Sequence, residues 1–161
     1  MRIIVSIGLA AVLLASPAAA QEQDSGALLG RLFCQVRNEG ESAIRYLLTR
    51  SLTAEIDKAL AKNDLIAAAH PDEKPPLGDG VPFQAYQDLA PECRVGTVAM
   101  ADGAVNIDVE HVFPDQPAGN WTDRLVVVTD DGLAKIDDIL YGPEKFDTGL
   151  REVLTTAFRR Q

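Results

Sequence analysis

The chain has 161 residues and a formal net charge of −9, with 15 Lys and Arg against 24 Asp and Glu. That length suits one domain with a substantial core, and the acidic balance argues against nucleic acid and anionic membrane surfaces as partners. Two Cys and two His scattered along the chain make a poor zinc site. No phosphate-binding glycine loop, G-x-S-x-G elbow or H-E-x-x-H pair occurs, so nucleotide, serine-hydrolase and metalloprotease readings fall away, and neither metal nor cofactor is expected.

Residues 1–20 read as a secretory signal peptide: Arg2, an apolar run from Ile3 to Ala15, and small residues at Ala18 and Ala20 before Gln21. This predicts a periplasmic or secreted protein of one domain, residues 21–161, with no membrane attachment after cleavage. In that oxidising setting Cys34 and Cys93 read as a disulfide, with two separate buried thiols as the alternative. A C-x-x-C redox motif is absent.

The first helix is expected over about Ser25 to Arg37, with Leu28, Leu29, Leu32, Phe33 and Val36 as its apolar stripe and Cys34 off that stripe. A second is expected from about Ser42, and a third from an N-cap at Thr53 to His70, where Pro71 disfavours further helix. Residues Pro71 to Pro82 are too rich in Pro, Gly and Asp for regular structure and read either as a lid or as a surface connection. Phe83, Tyr86 and Leu89 recur at helical spacing, which predicts a short helix ended by Pro91.

Four strands follow. Cys93 to Met100 and Val105 to Phe113 flank Asp102-Gly103, and Trp121 to Thr129 and Leu133 to Tyr141 flank Asp131-Gly132. Asp-Gly between strand-like runs is a strong hairpin signal, so the sheet is an antiparallel meander. In the second strand Val105, Ile107, Val109, His111 and Phe113 share one face, and Asn106, Asp108 and Glu110 the other. Leu125 to Val128 is apolar on both faces and reads as central. From Asp147 to Gln161, Leu150, Val153, Leu154, Ala157 and Phe158 form an amphipathic stripe, with Asp147 as its expected cap. If this helix does not cover the second face of the sheet, a second copy of the chain would, so monomer and homodimer both stay open.

Helices before a long meander give an α+β layout. With Tyr46-Leu47-Leu48-Thr49-Arg50-Ser51-Leu52, Gln87-Asp88 and the run from Thr129 to Ile139, the chain resembles the nuclear transport factor 2-like superfamily, and within it small exported bacterial domains. The resemblance implies a curved sheet that wraps around helices into an open cone. That superfamily holds isomerases, dehydratases and polyketide cyclases as well as immunity, binding and scaffold domains, so fold alone leaves function open. In its isomerases and dehydratases an Asp, sometimes with a His, moves the proton.

The candidate pocket residues are His111, Asp138, Trp121, Val109 and Phe113. His111 lies among large apolar residues on its strand, and regular pleating would turn either Asp137 or Asp138 inward. The favoured reading is a non-enzymatic exported module that binds a small apolar molecule or a partner protein. The alternative is a cofactor-free isomerase or lyase using Asp138 and His111.

Overall fold

The computed structural model describes residues 17–159, so most of the expected signal peptide lies outside the described residues. The elements run α1 (Pro17–Val36), α2 (Glu41–Arg45), α3 (Arg50–Ala69), β1 (Glu92–Ala101), β2 (Ala104–Val112), β3 (Trp121–Asp130), β4 (Leu133–Tyr141) and α4 (Leu150–Thr156). The four strands form one antiparallel sheet in the order β1-β2-β3-β4. This is the α+β meander with N-terminal helices and a C-terminal helix. Among the described residues no helix is long and apolar enough to cross a membrane.

Both tight hairpins use their Asp-Gly pairs as expected: Asp102 and Gly103 have φ of 53° and 79°, and Asp131 and Gly132 have 51° and 76°. Two bulges bend the sheet, one near Gly96 and Thr97, the other at Asp137. On β2 the alternation holds, with Val105, Ile107, Val109 and His111 all buried. On β3, Trp121, Asp123, Leu125 and Val127 are buried, whereas Val126 and Val128 are half-buried on the opposite face. That opposite face carries the Asp108–Arg124 ion pair at 2.7 Å. Apolarity on both sides of β3 therefore does not mean a fully covered strand.

The buried face of α1 is rotated from its expected stripe. Leu29 and Phe33 of that stripe are buried and Val36 packs against the core, but Leu28 and Leu32 are exposed, and Gly26 and Gly30 lie against β2 in their stead. A Cβ on Gly26 would lie 2.8 Å from Val105 Cγ1, and one on Gly30 2.9 Å from Ile107 Cγ2. The two glycines let the helix axis come close to β2. The same i+4 row continues to Cys34, which is bonded to Cys93 with the Cα atoms 5.4 Å apart. Cys34 thus sits along the face towards the sheet, where β1 can reach it.

Other local expectations are corrected. The third helix starts at Arg50, not after Thr53, because Thr49 is the N-cap and its hydroxyl accepts from Leu52 N at 3.1 Å. The N–H of Thr49 and the carbonyl of Leu47 bond Ile136, so residues 47–49 run beside the free edge of β4 rather than continuing α2. Residues 83–88 are a series of bends, not a helix. Their helical spacing is overridden by bonds to the rest of the chain: Ala85 N donates to Asp123, and the Pro82 carbonyl accepts from the Tyr141 hydroxyl. Asp147 does not cap α4. The N-cap position is Gly149, and the side chain that accepts from the first turn belongs to Asp138, on the neighbouring strand.

Helix α4 packs against α3 and β4, adding Leu150 and Leu154 to the same core as Leu52 and Ile56. Arg151 ties the three elements together, bonding Asp137 on β4 at 2.6 Å and pairing with Glu55 on α3.

Candidate functional site

The site grows from the junction of β2 and β3. His111 and Trp121 are directly paired across the strands, so their side chains leave the sheet on the same side. Their rings stack, centroids 4.4 Å apart and planes within 8°. Two residues along β3, Asp123 is on the same face and only 1% exposed. Its Oδ2 accepts from Trp121 Nε1 at 3.0 Å and from the Ala85 amide at 3.0 Å, and its Oδ1 accepts from the Gly142 amide at 3.2 Å. A buried carboxylate is tolerated where its oxygens are satisfied in this way.

Gly142 reaches Asp123 because it has no side chain: a Cβ there would fall 1.5 Å from the Thr122 carbonyl oxygen. One carboxylate therefore holds the indole of Trp121, the irregular segment at Ala85 and the turn after β4.

His111 is fully buried. Its Nε2 lies 3.3 Å from Asp123 Oδ2, and neither ring nitrogen makes a hydrogen bond among the described residues. With both nitrogens sealed in this arrangement, the imidazole supports Trp121 from behind and does not line the cleft.

In front of Trp121 lies an open cleft of about 670 Å³. Tyr86, Phe113, Trp121 and Phe146 form its aromatic wall, and Gln116 and Asn120 contribute polar groups. Tyr86 meets the Trp121 ring edge-on at 5.2 Å, and Phe113 is tilted to it at 6.0 Å. Asn120 Oδ1 accepts from the Phe113 amide at 2.7 Å, which closes the loop between β2 and β3 and fixes that side of the cleft. Lys145 and Phe146 have φ of 58° and 63°. Left-handed conformation at two successive non-glycine residues is strained, by about 1–2 kcal/mol each. The strain sets Phe146 in the wall of the cleft and beneath Arg124, whose guanidinium lies 4.0 Å from the ring centroid.

Of the sequence-derived candidates, Trp121 and Phe113 line this cleft, while His111 lies directly behind it. Val109 is deeper, fully buried in the core beside β3. Asp138 is elsewhere. It pairs with Val126, which also pairs with Asn106, so it belongs to the opposite face of the sheet. Asn106 lies five positions before His111 on β2, about 17 Å along the strand. The bulge at Asp137 is what turns both carboxylates away from the core while Ile136 and Ile139 remain in it.

Asp138 Oδ1 accepts from Ile139 N at 2.8 Å and Arg151 N at 3.1 Å. Burial pushes its carboxyl above the ordinary value of 3.8, and the bonds from Arg151 and Ile139 only partly oppose that. The structure does not bring Asp138 and His111 together as an acid–base pair.

Sequence reasoning missed Asp123, Tyr86 and Phe146. Asp123 had a signal: by parity it shares a face with Trp121, Leu125 and Val127, an acid in an apolar row. Tyr86 and Phe146 had none, because irregular backbone places both. Compared with protein-family models, with curated proteins and with solved structures, the chain matches none.

Proposed function

We propose that the protein is a non-enzymatic binding module of the nuclear transport factor 2-like kind, exported from the cell, that takes a small apolar ligand in the aromatic cleft. The observation that carries the reading is the cleft's construction. Four aromatic rings surround about 670 Å³ of open space, and the central ring is fixed from behind by a buried, fully bonded carboxylate. Fixed aromatic surface lowers the ordering cost of binding, while a few polar groups orient the ligand. The sealed imidazole of His111 and the capping role of Asp138 favour binding over proton transfer.

Trp121 is the sole Trp of the chain, so its fluorescence reports the cleft directly. Native mass spectrometry of protein purified from the producing cell is expected to show a bound small molecule, and adding that molecule back to stripped protein is expected to change Trp121 emission. Phe113→Ala should weaken that response by about tenfold without a comparable loss of fold, since it removes roughly 1.4 kcal/mol of contact. A response that Phe113→Ala and Tyr86→Ala both leave intact would dismiss the aromatic cleft as the binding site.

A further inference from the structure

We propose that a second cleft, between the C-terminal end of α1, α2 and residues 79–89, binds an apolar molecule carrying a carboxylate, and that Arg37 is the group that receives the carboxylate. This cleft encloses about 610 Å³, and Phe33, Ile44, Pro82, Phe83 and Leu89 give it apolar walls. Arg37 lines it too, yet is only 6% exposed. Its Nη2 donates to the Ala90 carbonyl, while Nε and Nη1 are sealed from solvent and have no acceptor among the described residues.

A guanidinium carries five donors and stays charged, so one neutral carbonyl leaves most of its desolvation uncompensated. Burial accordingly pushes its pKa down from the usual guanidinium value. The acidic residues on the cleft do not neutralise it. Glu41 pairs with Arg45 at 2.7 Å, and Asp79 pairs with Lys74. A carboxylate brought by a ligand would supply the counter-charge and an acceptor for Nε or Nη1, lying across one of the two edges that each shares with Nη2. Access to the sealed nitrogens requires a shift of the cleft wall, and residues 79–89 contain neither helix nor strand to resist one.

The inference is separate from the aromatic cleft, although Tyr86 borders both. Octanoate and octan-1-ol share a chain length and differ in the headgroup. Calorimetric titration of the wild type should show octanoate binding at least about tenfold tighter than the alcohol, as expected for charge-assisted bonds to a desolvated arginine. Arg37→Gln keeps a donor for Ala90 but removes the charge, and should abolish the preference. Phe113→Ala, in the other cleft, should leave it in place.

Equal binding of the two probes, no octanoate binding, a preference that survives Arg37→Gln, or one lost in Phe113→Ala would each overturn the proposal. Should Arg37→Gln fail to fold, the wild-type Arg37 Nε–H resonance decides. It should shift on octanoate addition, and an unmoved resonance refutes the assignment.

Discussion

Asp123→Asn tests whether one buried carboxylate fixes the aromatic cleft. In the wild type its two oxygens accept three N–H donors, from Ala85, Trp121 and Gly142. Asparagine has nearly the same volume but only one acceptor oxygen. Its best orientation keeps that oxygen between Ala85 and Trp121 and turns the amide NH2 onto the Gly142 N–H. One buried donor left unpaired costs about 1–3 kcal/mol, and the two remaining bonds lose charge assistance, about 1 kcal/mol each. Removal of a buried charge offsets part of this. The net loss should be about 2–4 kcal/mol, which for a domain of this size lowers Tm by roughly 6–12 °C. Differential scanning calorimetry measures that loss, and emission of the sole Trp reports the freed indole. A variant that melts within about 2 °C of the wild type with unchanged emission would refute the reasoning, since such a shift is below the loss of one buried bond.

Four further outcomes are expected. His111→Ala should cost about 2–4 kcal/mol by opening a cavity behind Trp121, whereas His111→Phe, which keeps a ring to stack and removes two unbonded nitrogens, should cost under about 1 kcal/mol in chemical denaturation. Replacing Cys34 and Cys93 together by Ser should lower stability by about 4 kcal/mol in the chain-entropy account, given a sequence separation of 59, and denaturation with and without reductant checks it. Lys145→Gly should raise Tm slightly by relieving left-handed strain of about 1 kcal/mol, and a lower Tm would contradict the strain. Asp138→Ala should cost about 1 kcal/mol as a lost helix cap, while Asp138→Asn, whose oxygen still accepts both amides, should hold within about 0.5 kcal/mol at neutral pH.

Asp138 also sets a pH dependence whose sign follows from its raised pKa. The folded state holds this proton more tightly than the unfolded chain does. Ionisation of Asp138 therefore costs stability, and that cost is removed as pH falls through the folded-state pKa. Asp138→Asn cannot titrate at this position. Its stability relative to the wild type should be most favourable at neutral pH and decline as acid protonates the wild-type carboxyl. Parallel denaturant titrations at neutral and acidic pH measure the difference, and a relative stability that rises on acidification would reverse the assignment of burial as the dominant cause.

What the sequence made legible, and what it hid, divides along the range of the interactions. Strand limits were readable because alternation and two Asp-Gly turns are local signals, and the row Val105-Ile107-Val109-His111 points one way whatever packs on it. The disulfide was readable from an even cysteine count. The buried face of α1 was readable only in part: Leu29 and Phe33 are buried as expected, but Gly26 and Gly30 contribute by having no side chain, and a hydrophobic pattern cannot register that. Asp137 and Asp138 were undecidable because a bulge shifts parity without a residue signature. The spacing of Phe83, Tyr86 and Leu89 predicted a helix, yet Asp123, 38 residues beyond Ala85, takes that amide and the segment stays irregular.

The same long-range bond bears on how the two clefts relate. Residues 79–89 form one wall of the Arg37 cleft, and Tyr86 from that segment also borders the aromatic cleft. It is attached at several points: Asp79 to Lys74, Pro82 to Tyr141, Ala85 to Asp123, Phe83 in the core, and Ala90, just beyond it, to Arg37. A ligand bound beside the Arg37–Ala90 bond shifts the wall at this end of the segment, and the next attachment along it is the Asp123 carboxylate that also holds Trp121. Movement at one cleft is therefore expected to reach the other through Tyr86, which is itself part of the aromatic wall. The coupling is testable because its two ends have separate reporters. Octanoate titration followed by Trp121 emission should show a response in the wild type that disappears in Arg37→Gln but persists in Phe113→Ala. If octanoate binds by calorimetry while Trp121 emission stays constant, the two clefts are independent and the shared segment is only a wall.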